Sequence, residues 1–334
     1  MADVSLGDLA QTRFLQRSNA ALKTQLQTLA TEVSSGQSAD PGKALGGDFS
    51  VAAGLAHSLA ILQSHDTAAA QAALAAETMQ ASLTRIDGIA TQLATTLITS
   101  GGAGEPTGLA TVTAQARDAL SAAVMALNVQ VGGRSLFSGT AAGHAVAPAD
   151  QILAALAPVV AGQTSAAGVA AAVRDWFASP AGFAASAYGG GTTPPTPIPV
   201  APGETASLGV TALDPALTET LAGLATAALL AGGPLSDRAP EQAALASIAG
   251  QALLSAQAGR TTLAAGLGVV QAGIAAAQSR NRAETSALQI AQAKLLEVDP
   301  YKAATDLQAV QGQLETLYAL TARISSLSLT NFLR

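Results

Sequence analysis

Residues 298–333, VDPYKAATDLQAVQGQLETLYALTARISSLSLTNFL, contain the pattern that decides the fold of this chain. Leu307, Val310, Leu314, Leu317 and Ile324 follow one another at spacings of three, four, three and seven, and Thr321 occupies the gap. This spacing is typical of the apolar seam of a coiled-coil helix. The segment is therefore predicted to be a helix with one narrow apolar stripe that needs a partner.

The first 35 residues carry a matching stripe. Its apolar members, at spacings of seven, four, three and four, are Leu15, Leu22, Leu26, Leu29 and Val33. Asn19 fills the vacant position, where a polar side chain sets the register of a coiled coil. An ordinary amphipathic helix on a globular core is the alternative for either stripe alone. Because both ends share the pattern, we predict two terminal helices that carry assembly seams.

The segments next to these ends are also helical in pattern. Residues 34–48 are rich in Gly, Ser, Pro and Asp and are predicted to form a loop, and residues 49–100 form a long helix. A turn at 101–108 and a helix at 109–131 complete an antiparallel helical hairpin. Residues 240–298 are predicted to be one very long helix. Its interior glycines, for which we expect a role in close helix packing, are Gly250, Gly259, Gly266, Gly268 and Gly273.

Residues 139–235 have a different character. They contain Trp176, most of the prolines and the stretch YGGGTTPPTPIPVAPGETASLGVTALDP at 188–215, which favours short strands and loops. The predicted fold is mainly α: an elongated hairpin of long helices with terminal coiled-coil helices and a mixed α/β outer insertion. The predicted domains are 1–35 with 302–334, then 36–138 with 236–301, and 139–235 as the insertion.

Composition excludes several classes of function. Of 334 residues only 11% are charged, the net charge is -6, and the 16 Lys and Arg form no basic stripe, which makes nucleic-acid binding and attachment to anionic membranes improbable. The uncharged runs contain Gln and many Ala and Gly, so we expect no membrane insertion. The absence of Cys removes disulfides and thiolate chemistry. The first thirty residues lack an apolar core, and we expect export without a cleaved signal peptide.

No pattern points to catalysis, a metal or a cofactor. His57 and His65 are eight residues apart, too far for one metal ion, and no cluster of carboxylates completes a ligand set around them or His144. Four carboxylates were considered as acid–base groups, but their spacing does not distinguish a dyad from solvated helix charges: Asp87, Asp118, Glu297 and Asp299. We therefore predict that the chain is not an enzyme and binds no cofactor.

Three segments resemble the bacterial flagellin superfamily, and within it most closely the hook–filament junction proteins. They are LATEVSSGQSADPGKALGGD at 29–48, NVQVGGRSLFSGT at 128–140 and the C-terminal segment at 298–333, which is the strongest of the three. The resemblance implies a secreted structural subunit of the bacterial flagellum whose terminal helices pair and line an inner tube, with the central insertion facing outward. It also implies partners: flagellin, other hook-associated proteins, further copies in a ring and an export chaperone.

Two other functions remain open from the sequence. The chain is also compatible with flagellin itself, the bulk filament subunit, or with a cytoplasmic Ala-rich coiled-coil adaptor. A terminal helix of about 30 residues with some six seam side chains is marginal alone, since the burial of those side chains offsets only part of the backbone ordering cost. We expect the seam positions to face water in the unassembled chain and to become covered on assembly.

Overall fold

The computed structural model of the chain describes residues 6–101 and 106–332. Helices dominate these residues, and the strands are short, which confirms the predicted mainly α class. The helices are α1 (Leu6–Ser35), α2 (Pro41–Ala44), α3 (Ser50–Gly101), α4 (Pro106–Leu127), α5 (Ala149–Val160), α6 (Ala166–Ala178), α7 (Phe183–Ser186), α8 (Pro215–Ala228), α9 (Ala239–Ser255), α10 (Gln257–Leu295) and α11 (Pro300–Phe332). The strands are β1 (Gln130–Val131), β2 (Arg134–Ser135), β3 (Ile198–Ala201) and β4 (Glu204–Ala206), in two antiparallel pairs.

Contacts divide the chain into two units. The first unit contains residues 1–61 and 283–334, and the second contains residues 62–282. Residues 139–235 share the hydrophobic core of the second unit with α3 and α4. The division into three domains by sequence stays a prediction.

The core of the second unit is built from small apolar side chains with a few larger ones. Alanines on α3, α4, α8 and α9 alternate with leucines, and Phe137 and Phe183 are fully buried. Glycines let helices approach at several places: a Cβ on Gly223 would come within 2.7 Å of Leu253, one on Gly250 within 2.9 Å of Ile98, and one on Gly259 within 3.1 Å of Ala216. The shortage of large side chains is thus offset by close helix packing.

A buried arginine connects four helices of this unit. Arg260 on α10 has 2% of its side chain exposed, and its Nε donates to Oδ1 of Asp87 on α3 at 2.8 Å. Its Nη1 donates to the hydroxyl of Thr220 on α8 at 3.1 Å and to the carbonyl of Leu253 on α9 at 3.2 Å. A charge taken out of water requires such partners, so this residue fixes the relative positions of α3, α8, α9 and α10.

The β3–β4 hairpin is bound to helices on two sides. Asn281 of α10 is buried and donates from Nδ2 to the carbonyl of Val200 at 2.8 Å. Arg280 pairs with Glu204, and the ring of His65 on α3 lies 3.4 Å from the carbonyl oxygen of Pro199. The prediction of short strands and loops within 188–215 is confirmed.

Aromatic side chains pack against one another in the region that precedes the β3–β4 hairpin. Trp176 and Phe177 meet edge to face with centroids 5.0 Å apart, and Phe183 lies 5.0 Å from Phe177. Tyr188 follows them, and burial raises the pKa of its phenol. Its hydroxyl donates to the carbonyl of Gly191 at 3.0 Å, so the phenol closes the loop that follows it.

The structure corrects two predictions for the long helices, the length of one helix and the packing of three glycines. Part of a predicted turn lies outside the described residues. The helix predicted over 240–298 is two helices, α9 and α10, separated at Ala256. A Cβ on Gly266, Gly268 or Gly273 would meet no atom within 4 Å, so these glycines pack closely against none of the residues in 6–101 and 106–332. Residues 102–105 of the predicted turn lie outside the described residues.

One stretch of the described residues, Ala239–Leu295, is long and apolar enough to cross a membrane by length and composition alone. The same test is passed by core helices of soluble proteins. In this chain Leu245, Ala249 and Leu253 of the stretch belong to the hydrophobic core of the second unit. The absence of membrane insertion stays a prediction.

Glycine replacements should separate close packing from helix propensity. Gly250→Leu should lower the free energy of unfolding by about 1–3 kcal/mol, because the new side chain would collide with Ile98 and the Ala94 carbonyl. Gly266→Leu should raise it by up to about 1 kcal/mol, because leucine is the better helix former and finds open space there. Urea unfolding of both variants checks this, and equal effects at the two sites would contradict the packing.

The Arg260–Asp87 pair should respond unequally to the loss of either partner. Asp87→Asn leaves a buried guanidinium without a counter-charge and should cost about 3 kcal/mol. Arg260→Met leaves a carboxylate that is 38% exposed and can be hydrated, so its cost should be smaller, about 1–2 kcal/mol. Thermal and urea unfolding of both single variants and the double variant measure the difference, and a costlier Arg260→Met would argue against this assignment.

Candidate functional site

The two terminal helices, α1 and α11, pack against each other along their lengths. The chain joins them at one end through an isolated antiparallel bridge between Gln37 and Glu297. The Ser38 amide donates to the carbonyl of Leu296 at 2.8 Å, and the Val298 amide donates to the carbonyl of Gly36 at 3.0 Å. Since α1 ends and α11 begins at this bridge, the two helices run antiparallel.

Acidic side chains hold the backbone on both sides of the bridge. The Glu32 carboxylate accepts from the Ala39 amide at 3.0 Å and from the Ser38 hydroxyl at 3.3 Å. Asp299 accepts from the amides of Tyr301 and Lys302 at 2.9 and 3.3 Å, at the first turn of α11. A carboxylate before a proline at the helix start satisfies amides that have no partner within the helix. These groups therefore fix where α11 begins and how it leaves the bridge.

Most of the predicted seam positions on α1 and α11 are at least partly buried. Leu29 and Val310 are buried, and Val33 is 38% exposed. The remaining seam residues are partly buried: Leu15, Leu22, Leu26, Leu307, Leu314, Leu317 and Ile324. Asn19 is partly buried as well, whereas Thr321 is exposed. Most seam positions are thus at least partly covered within a single chain, which corrects the expectation that the seam faces water before assembly. The role of these residues in assembly stays a prediction.

Sequence reasoning missed one member of this contact. Ala303 on α11 is 2% exposed, and it precedes Leu307 by four residues and Val310 by seven. The heptad spacing could have located it. The apolar pattern does not mark Ala303, because a small alanine gives a weak hydropathy signal beside the leucines.

Several large apolar side chains of the α1–α11 pair are exposed to solvent. Phe14 is 70% exposed, Leu320 49% and Tyr318 45%. A groove of about 680 Å³ runs along one side of the pair and is lined by Ser18, Leu22, Ala309, Gly312, Gln313, Thr316, Leu317 and Leu320. Large exposed apolar side chains beside a groove are typical of a surface that binds another protein.

The side chains that the sequence offered as acid–base or metal-binding groups lie in structural contacts or on the surface. Asp87 pairs with Arg260, and Asp299 caps α11. His57 and His144 are exposed. Within residues 6–101 and 106–332 no three His, Asp or Glu side chains lie together as a metal-binding group.

The terminal helices thus form an antiparallel pair with large apolar side chains exposed on its outside, a surface of the kind that binds other proteins. Comparison with known protein families gives a match that includes this pair's second helix. Residues 251–333 match the family model described as the bacterial flagellin C-terminal helical region. The matched segment covers 83 of the 334 residues and includes the end of α9, all of α10, the bridge residue Glu297 and α11. No curated protein matches the chain.

Truncation in the terminal pair should show which seam positions stabilise it. Val310→Ala removes two buried methyl groups and should destabilise the pairing by about 1–2 kcal/mol. Val33→Ala, at an exposed position, should change it by less than about 0.5 kcal/mol. Hydrogen exchange of the α11 amides measures both. Equal protection in the two variants would mean that α1 does not cover Val310 in solution.

Proposed function

We propose that this chain is a structural subunit of the bacterial flagellum that joins the hook to the filament by helical self-assembly, the role of the third hook-associated protein. The observation that carries the proposal is that the flagellin match falls on α11, the helix that pairs with α1 and leaves apolar surface outside. Flagellin-like subunits are structural and not enzymatic, and they act in an extracellular filament.

The segment at residues 128–140 supports the junction role over that of the bulk filament subunit. NVQVGGRSLFSGT resembles the corresponding segment of junction proteins. In the structure it forms the β1–β2 hairpin, whose turn residues Gly132 and Gly133 have φ angles of 59° and 76°. Phe137 is fully buried, so this segment closes the end of α4 against the core.

Hydrogen bonds explain the specific residues of this segment. Asn128 donates from Nδ2 to the Val146 carbonyl at 2.8 Å and accepts from the Val146 amide at 2.9 Å, as a strand neighbour would. Gly139 has φ of 63°, and a Cβ there would come within 2.7 Å of the Gly191 carbonyl oxygen. Only glycine fits this backbone position.

The arrangement we propose has three parts. Residues 1–35 and 302–334 form the inner tube domain, 36–138 and 236–301 the helical body, and 139–235 the outer insertion. The seam residues of the two terminal helices mediate docking. In this proposal the chain is exported, is delivered by an export chaperone, and contacts flagellin, other hook-associated proteins and further copies of itself in a ring.

Copy number separates this proposal from the bulk filament subunit. Flagella isolated from the bacterium that makes this chain should contain about one ring of copies, located by immunogold labelling at the hook–filament boundary. A strain without the chain should keep its hooks, lack filaments and release flagellin into the medium. Labelling along the whole filament would identify flagellin, and a chain retained in the cytoplasm would identify an adaptor.

Charges at the C-terminal seam should prevent docking without unfolding the second unit. In the double variant Leu314→Asp with Leu317→Asp, two half-buried leucines on α11 become carboxylates. Burial of each leucine stabilises the fold by roughly 1.5–3 kcal/mol. A carboxylate in the same position is unfavourable because it loses contact with water. The variant should be exported in normal amount, should be missing from the hook end and should leave flagellin in the medium. Quantitative blots of the medium and filament counts by electron microscopy measure this.

The matched control carries the same two charges on the exposed side of the same helix. Gln308→Asp with Gln311→Asp should leave filaments normal, because both side chains are exposed. Normal filaments that contain the Leu314 and Leu317 variant would reject docking through the seam.

A further inference from the structure

A cavity of about 250 Å³ lies between α6, α8 and α9 of the second unit. Each helix contributes residues at spacings of three and four, so one face of each helix forms a wall. The apolar part of the walls consists of Ile248 and several alanines, and the polar side chains that line it are Arg174, Glu219, Thr226 and Ser255. The cavity thus combines an apolar interior with a few polar groups, which is typical of sites for small molecules.

The direction of the helices brings two of these polar groups to the same end of the cavity. Gly223 of α8 faces Leu253 of α9, whereas the start of α8 at Ala216 faces α10, so α8 runs antiparallel to α9. Glu219 lies one turn before Gly223, and Ser255 lies two residues after Leu253. The carboxylate of Glu219 and the hydroxyl of Ser255 therefore share one end of the cavity.

The hydroxyl groups that line the cavity are available as hydrogen-bond acceptors. Thr226 donates its hydroxyl proton to the carbonyl of Ala222 at 2.7 Å, and Ser255 donates its own to the carbonyl of Ala252 at 2.9 Å. Because each hydroxyl proton already has a partner, a ligand meets the oxygen lone pairs. The ionised carboxylate of Glu219 is also an acceptor. These three groups are suited to a ligand that presents several N–H donors.

Arg174 and Glu219 line the same cavity but form no salt bridge with each other. Arg174 makes only a long contact of 3.9 Å with Asp175, its neighbour in sequence, and both side chains are largely exposed. Exposed ion pairs of this kind contribute little. Glu219 forms no ion pair with any residue in 6–101 or 106–332. One guanidinium and one carboxylate are therefore both available to a ligand in the cavity.

We propose that this cavity binds a free α-amino acid with an aliphatic side chain of about the size of leucine. Arg174 donates to the α-carboxylate, Glu219 and Ser255 accept from the α-ammonium, and the side chain packs against Ile248 and the alanines. The cavity is smaller than the sites of about 300–1,000 Å³ that hold drug-sized ligands, so it suits a ligand of this size. The site lies entirely in the second unit, and the inference does not depend on the proposed function.

Charge favours a zwitterion over a ligand that carries a single charge. An aliphatic carboxylate that pairs with Arg174 would bring its negative charge toward Glu219. An aliphatic amine that pairs with Glu219 would bring its positive charge toward Arg174. Like charges brought together are unfavourable. An amino acid gives each of the two side chains a partner of opposite charge, and its aliphatic side chain covers the apolar walls.

Equilibrium dialysis of the purified full-length chain against radiolabelled L-leucine tests the proposal. A ligand of about nine non-hydrogen atoms should bind with a Kd between about 10 μM and 1 mM. Two analogues, 4-methylpentanoate and 3-methylbutylamine, each lack one of the charged groups and should compete at least roughly tenfold more weakly. The proposal is wrong if leucine is not retained at concentrations up to about 10 mM, or if either analogue competes as well as leucine does.

Neutral replacements of the two charged side chains locate the binding site. Arg174→Gln and Glu219→Gln should each raise the Kd for leucine roughly tenfold, and both should fold normally because the two side chains are exposed. The matched controls are Arg134→Gln and Glu77→Gln, which remove the same charges from exposed positions of the second unit outside the cavity. Their Kd should equal that of the wild type. An unchanged Kd in either cavity variant would overturn the proposal.

Filling the cavity tests whether the aliphatic side chain enters it. Ala170 is half-buried in the wall that α6 forms, so Ala170→Leu should occupy the space that the ligand needs. Leucine at roughly one hundred times its Kd should raise the melting temperature of the wild type by several degrees, because it binds only the folded chain. The melting temperature of folded Ala170→Leu, checked by circular dichroism, should not change. An equal rise in this variant would place the bound leucine elsewhere and contradict the proposal.

Discussion

The backbone bridge between residues 36–38 and 296–298 sets the register on which the terminal helix pair depends. Two amide-to-carbonyl bonds hold the end of one helix beside the start of another that is about 260 residues away in sequence. With that end fixed, the heptad spacings bring Leu29 opposite the first turns of α11 and Leu15 toward its far end. A slip of one residue at the bridge would rotate the seam by about 100° and expose it.

A shortage of large side chains governs the rest of the fold. Alanine-rich helices gain little from each contact, and they are stable only if their backbones approach closely enough for many contacts to form. Gly223 and Gly250 permit this approach in the second unit, and Arg260 adds polar bonds that fix four helices at once. In the terminal pair the same shortage of covering side chains leaves Phe14, Tyr318 and Leu320 exposed in the described part of the chain.

The sequence predicted those features that come from a local repeat. Heptad spacing marked positions on α1 and α11 that are mostly buried or partly buried, and runs of helix formers located α3 and α4 to within a few residues. Features that depend on distant partners were missed, namely the break at Ala256 and the bond of Arg260 to Asp87. The open glycines show the same limit, since periodicity cannot tell a glycine that contacts a neighbour, such as Gly250, from one that faces solvent, such as Gly266.

The Arg260–Asp87 bond also has a consequence for the time course of folding. Its two residues are separated by 173 positions, so the second unit cannot complete its core until most of the chain has left the ribosome. The bridge at residue 297 forms later still, and a native state rich in such distant contacts is reached slowly. The tertiary structure of such a chain therefore forms only after nearly all of it has been synthesised.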